Sequence, residues 1–151
     1  MLNGKLVSTE IRKKDITSNV SAVSALLEVR EFLVKIQRKL GNEIDCVIEG
    51  RDIGSVVFPN ADFKFFLTAD LDVRSMRRKN ELKKLGEDLS IDEIKASMRK
   101  RDRIDSSREF SPLKRSKDSI EIDSTDLTIE EQIEKIIKII KTNKKGTSKH
   151  V

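Results

Sequence analysis

Arginines and carboxylates are the groups in this sequence best placed to do chemistry, and they come in three clusters. The first is Glu49-Gly50-Arg51-Asp52-Ile53-Gly54, which follows a short run rich in β-branched residues. In open α/β sheets ligands bind beyond the carboxyl ends of strands, so a loop at such an end is well placed. Arg51 offers a planar fork of donors that suits phosphate, and Asp52 accepts from amino or hydroxyl groups. The same residues also fit a plain strand-end turn with a local Arg–Asp pair. The second cluster runs from Arg99 to Arg108 (RKRDRIDSSR). On a helix Arg101, Asp105 and Arg108 stand four and three residues apart, hence on one face. A carboxylate between two guanidiniums could take a sugar hydroxyl and a phosphate together. A solvated helix with routine ion pairs, each worth about 0.3–0.5 kcal/mol, gives the same pattern. The third is Arg74, Arg77, Arg78 and Lys79. It could close over a triphosphate as a lid, or be a solvated helix face.

Other chemistries are narrowed by what the sequence lacks. The one histidine, His150, lies in a Lys/Gly/Ser-rich tail, so neither a Ser-His-Asp or Cys-His arrangement nor a His-based zinc site is expected. The one cysteine, Cys46, allows no internal disulfide and no thiolate metal cluster. The net charge of +5 comes from 31 Lys+Arg against 26 Asp+Glu, interspersed along the chain. That favours a small anionic ligand; a nucleic-acid-binding module would be more one-sided. No apolar run is long enough to span a membrane, and the first residues lack a secretory pattern. A cytoplasmic address is the default. Phosphoryl transfer needs little beyond positioning and charge stabilisation, which arginines and carboxylates can supply.

These clusters require elements to position them. Asn3-Gly4 suits a tight turn, so a short β-ribbon is expected over residues 2–8. Helical spacing covers 16–40, with Val29, Leu33, Ile36 and Leu40 on one face and Gly41 as a stop. Strands are predicted at 44–49, 62–69 and 119–123, and helices at 71–84 and 91–104 or slightly beyond. Ser90 with Glu93, and Thr128 with Glu131, read as capping boxes. The latter opens a helix carrying Ile129, Ile133, Ile136, Ile137 and Ile140. Strands alternating with helices predict an α/β fold, a parallel sheet with flanking helices.

Taken together and in order, the pieces resemble bacterial cytidylate kinases of the nucleoside monophosphate kinase family. The stretches are LNGKLVSTEIR, SNVSAVSALLEVREFLVKIQRKL, VIEGRDIGSVVFPNADFKFFLTA, VRSMRRKNELKKLG, IKASMRKRDRIDSSREFSPL and SIEIDSTDLTIEEQIEKI. The combination of EGRDIG-VVFP with KRD-x-x-DSSR-x-x-SPL is the specific part. The resemblance implies that Ser21, Arg30 and Asp52 read a cytosine ring. It gives Arg51 and Arg108 the CMP phosphate, and Arg101 and Asp105 the ribose, with Asp105 on a sugar hydroxyl. Arg77 and Arg78 lead into the family's lid. It implies phosphoryl transfer from ATP with Mg²⁺ to CMP or dCMP by a monomer in its complete form.

Two departures accompany it. The family opens with a strand and a loop G-x-x-x-x-G-K-[ST] that holds the donor phosphates, and no such loop occurs in these 151 residues. Ile104 stands where the family usually carries a further arginine. The expected division is therefore a partial CMP-binding insert over 1–43, a core over 44–142 with a lid segment about 74–110, and a disordered basic tail over 143–151. The absent first strand belongs between 44–49 and 63–69, so a gap is expected there. A non-catalytic CMP-binding or regulatory remnant is the alternative.

Overall fold

The computed structural model describes residues 3–147, apart from the side chains of Lys14, Ser21 and residues 144–147. In chain order a 3-10 turn (Glu10–Arg12) precedes α1 (Lys14–Val23) and α2 (Leu27–Glu43), then a single π-helical turn (Ile53–Val57). β1 (Phe65–Thr68), α3 (Leu71–Lys84), α4 (Ile91–Ser107), β2 (Ile120–Asp123) and α5 (Ile129–Thr147) follow. Among the described residues the sheet has two strands, β1 and β2, parallel, with Phe65 opposite Ile120 and Leu67 opposite Ile122. A parallel pair needs a long crossover, and α3 and α4 supply it. The α/β architecture expected from the sequence is present, with helices flanking a small parallel sheet.

The core sits where this crossover returns on the sheet. Ile122, Leu82 and Ile94 are buried there, and Val57 is buried in the π turn. Small size lets α3 and α4 approach: Ser75 is fully buried, and its hydroxyl donates to the Leu71 carbonyl at 2.6 Å and to Met98 Sδ at 3.6 Å. The Ser90 capping box is formed in full, with Glu93 N donating to Ser90 Oγ at 3.3 Å and Ser90 N to Glu93 Oε2 at 3.0 Å. The Thr128–Glu131 pair repeats it at α5, at 2.8 and 3.2 Å.

Five expectations change. The helix expected over 16–40 is two helices, broken at Ser24–Leu26. Gly41 does not stop α2, which runs on to Glu43. A side chain there would meet the Phe58 ring, its Cβ only 2.4 Å from Cζ, so the glycine admits a close approach. Residues 44–49 form no strand, and Val47 is fully exposed at 102%. A β-branched run has no internal hydrogen bonds and becomes a strand only beside another. Asn3 and Gly4 do take the positive φ values, 47° and 77°, that a two-residue turn requires, but no strand follows over 5–8. The remainder of that ribbon, Leu2, lies outside the described residues. At the other end α5 continues through Thr147, into the segment expected as a tail; His150 lies outside the described residues.

Candidate functional site

The buried stripe of α4 changes chemistry along its length. Ile94 and Met98 face α3 in the early turns, and the same spacing then presents Arg101 and Asp105, with Arg108 as the residue that ends the helix. Asp105 is 2% exposed and sits amid guanidiniums. Its Oδ2 lies 3.3 Å from Arg51 Nε and 3.7 Å from Arg101 Nε, and its Oδ1 lies 3.5 Å from Arg108 Nη2. The Asp105 carbonyl accepts from Leu113 N at 2.7 Å and from Arg108 Nε at 3.4 Å, so the end of α4 is capped while Arg108 is held in place. Arg108 Nη1 also reaches Ser24 Oγ at 3.5 Å, tying α4 to the break between α1 and α2.

Asp52 enters from the opposite side. It begins the π turn, and its carbonyl accepts from Val56 N at 2.8 Å, with Ser55 N and Val57 N at 3.3 Å. Such turns are rare and often mark functional sites. Arg38 of α2 clamps the turn by donating to the Val56 and Val57 carbonyls at 2.8 and 2.9 Å. The Asp52 carboxylate is buried and paired with Arg30 of α2.

Arg30, Arg51, Asp52, Arg101, Asp105 and Arg108 line one cavity of about 170 Å³. Four guanidiniums there face three carboxylates, Glu49 being the third, an excess of one positive charge. A phosphomonoester carries about −1.5 to −2 at neutral pH. Burial, and next the neighbouring Arg51, draw the Arg101 guanidinium below the usual arginine value, against the pull of Asp105 and Asp102. Five buried atoms of this set make no hydrogen bond among the described residues: Arg30 Nε, Asp52 Oδ2, Arg101 Nε, Asp105 Oδ2 and Arg108 Nη2. All five belong to ion pairs or adjoin one. Buried polar atoms are costly to leave without hydrogen bonds, and a phosphate and sugar could supply them to the arginines and to Asp105.

Of the other residues singled out in the sequence, Ser21 lies on α1, its side chain outside the described residues. Arg77 and Arg78 do not line the cavity. Arg77 donates to the Ser124 carbonyl at 2.6 Å, to Ser124 Oγ at 3.2 Å and to the Leu127 carbonyl at 3.1 Å. Arg78 pairs with Glu81 at 2.7 Å on its own helix. Sequence reasoning passed over Asp102, which stands 2.8 Å from Arg74 Nη1 and 3.6 Å from Arg51 Nη1. Its place three residues before Asp105 was the only local signal.

The family model for cytidylate kinases matches residues 1–142. The chain belongs to the cytidylate kinase family. It is 50% identical over 145 residues to the cytidylate kinase of Caldanaerobacter subterraneus subsp. tengcongensis, covering 96% of this chain and 65% of that protein. It is 49% identical to that of Clostridium tetani, over 94% of this chain and 63% of that protein. A bifunctional pantoate ligase/cytidylate kinase of Prochlorococcus marinus is 47% identical over 143 residues, 28% of its length. The chain thus spans a little under two thirds of the cytidylate kinases it matches. No helix of the described residues is long and apolar enough to cross a membrane.

Proposed function

We propose that this chain carries the acceptor site of a kinase that transfers the terminal phosphoryl group of ATP to CMP or dCMP. One observation carries the reading: a cavity lined by four guanidiniums against three carboxylates, with buried polar atoms that make no hydrogen bond on Arg30, Asp52, Arg101, Asp105 and Arg108. In this reading Arg51 and Arg108 take the phosphate, Arg101 and Asp105 the ribose, and Ser21, Arg30 and Asp52 the base. Bidentate arginine contacts give phosphate recognition both energy and direction. Family membership supports the choice of cytosine.

The donor half does not fit these residues in the same way. The sequence contains no G-x-x-x-x-G-K-[ST] loop, and the described residues hold no group of three His, Cys, Asp or Glu side chains placed for a metal ion. ATP and Mg²⁺ therefore belong to the reading through the family. The division into a partial CMP-binding insert (1–43) and a core (44–142), with Arg77 and Arg78 in a lid over about 74–110, belongs to the same reading. So do a cytoplasmic location and action as a monomer.

Calorimetric titration of the chain with CMP, UMP and AMP tests the site. CMP is expected to bind most tightly, because a site built for one base leaves its polar groups unpaired with another. Arg51→Ala and Arg108→Ala should each weaken it. Equal affinity for the three nucleotides would overturn the reading. In a coupled ADP-release assay these 151 residues by themselves are expected to give no turnover.

A further inference from the structure

Asp102 is the carboxylate of this cluster that does not line the cavity, and its two contacts differ in kind. The 2.8 Å separation from Arg74 Nη1 is an ordinary charge-assisted hydrogen bond, whereas 3.6 Å to Arg51 Nη1 is an ion-pair distance. Arg74 is fixed a second time, because its Nε donates to the Ala69 carbonyl at 3.0 Å. Asp102 is thus held by a residue anchored at the carboxyl end of β1, and it presents its other oxygen to Arg51.

Arg51 needs such a hold. Its side chain is 36% exposed, and it competes with Arg101 and Arg108 for the single carboxylate of Asp105. A long, half-exposed arginine with one shared partner samples many rotamers, and ordering it on ligand binding costs affinity. We propose that Asp102 is a positioning residue, which with Arg74 holds the Arg51 guanidinium towards the cavity before any phosphate arrives. The chain Ala69 carbonyl, Arg74, Asp102, Arg51, Asp105 links the end of β1 and the start of α3 to the phosphate position. Asp102 touches no ligand in this scheme; it acts through Arg51. The part that concerns affinity rests on the reading of the cavity as a monophosphate site.

The test has two arms. In the ligand-free chain, ¹⁵N relaxation of the arginine Nε–Hε groups is measured, the Arg51 signal being assigned by its loss in Arg51→Ala. In Asp102→Asn the Arg51 order parameter is expected to fall below about 0.6, the flexible range, and Asp102→Glu is expected to restore part of it. Calorimetry forms the second arm, with CMP and cytidine as probes. Asp102→Asn should weaken CMP about tenfold, the lower end of what losing a supporting partner costs at a metal ligand, and leave cytidine within about twofold. Arg74→Ala should match it, and the double variant should be no worse, since both act through one chain. Should Asp102→Asn fail to melt cooperatively, Arg74→Lys replaces it. That variant keeps a charge near Asp102 but loses the second anchor on Ala69, and the same direction of change is expected. An Arg51 order parameter unchanged by these substitutions overturns the proposal. So does equal weakening of CMP and cytidine. A wild-type chain that binds neither ligand refutes the monophosphate reading alone, and the relaxation arm still decides whether Asp102 positions Arg51.

Discussion

The segment from α1 to the π turn is richer in apolar residues than the segment from β1 to β2, yet buries fewer of them. Between Phe65 and Asp123 the strands pair in a defined register, α3 and α4 pack on each other, and Leu82, Ile94 and Ile122 are buried. Between Lys14 and Val57, α2 has no buried residue at all, and Phe32, Leu40, Ile44 and Val47 are exposed. The difference is one of neighbours, because apolar side chains stabilise only against a surface that excludes water. The region from β1 to β2 supplies its own surface through a local crossover. In the other, Arg38 and Arg30 tie α2 to the π turn and Asp52 of the same segment, and the Ser24–Arg108 contact ties the break before α2 to α4.

Joining to this chain the part of the Caldanaerobacter relative that it does not span should have the largest effect. Residues 44–49 and the open edge of β1 would then have a partner strand. CMP phosphorylation is expected to rise from background to the range of about 1–100 s⁻¹ usual for kinases. The melting temperature should rise with it by about 10 °C, a few kcal/mol for a domain of this size. A fusion that melts cooperatively at higher temperature yet stays inactive would point to the site itself, and Ile104→Arg is the first change to make in it.

The contrast within the chain can be measured side by side. Ile122→Ala, at a fully buried position, is expected to lower unfolding stability by about 2–5 kcal/mol. Val47→Ala, at a fully exposed one, should stay within about 0.5 kcal/mol. Urea denaturation reads both, and similar losses at the two sites would erase the distinction drawn between the regions.

Smaller effects belong to the helix ends. Ser90→Ala removes the hydroxyl that accepts from Glu93 N and should cost about 1 kcal/mol, visible as a fall of about 2–4 °C in melting temperature. The smallest concerns Asp123, which ends β2. Its carboxylate accepts from Thr125 Oγ1 at 2.7 Å and from Thr125 N at 2.9 Å, and these hydrogen bonds hold its pKa below the usual value. A depressed carboxyl pKa stabilises the fold above the unfolded value of about 3.9. That contribution is lost as the pH falls through the folded value. Asp123→Asn should therefore melt slightly below the parent at pH 7, and the gap should close in acid. A gap that persists unchanged in acid would show that the carboxylate charge is not its source.

The sequence determined the elements whose causes are local. The span of α3 and the two capping boxes follow from periodicity and from side chains three residues apart. The pattern EGRDIG with KRD-x-x-DSSR determined the family. Tertiary structure alone decided everything that depends on a neighbour. Residues 44–49 have the composition of a strand and form none, because pairing is a property of two segments. Gly41 reads as a stop and serves instead as the seat of the Phe58 ring, seventeen residues on. The contacts of Arg77 are likewise invisible in the sequence: its guanidinium donates to the carbonyls of Ser124 and Leu127, forty-seven and fifty residues on. Asp102 reads as one more charge on a solvated helix, and it becomes the link between Arg74 and Arg51 only when α3, α4 and the Gly50–Asp52 loop converge. Spacing along one helix fixes which residues share a face; what that face meets is set by packing between segments far apart in the chain.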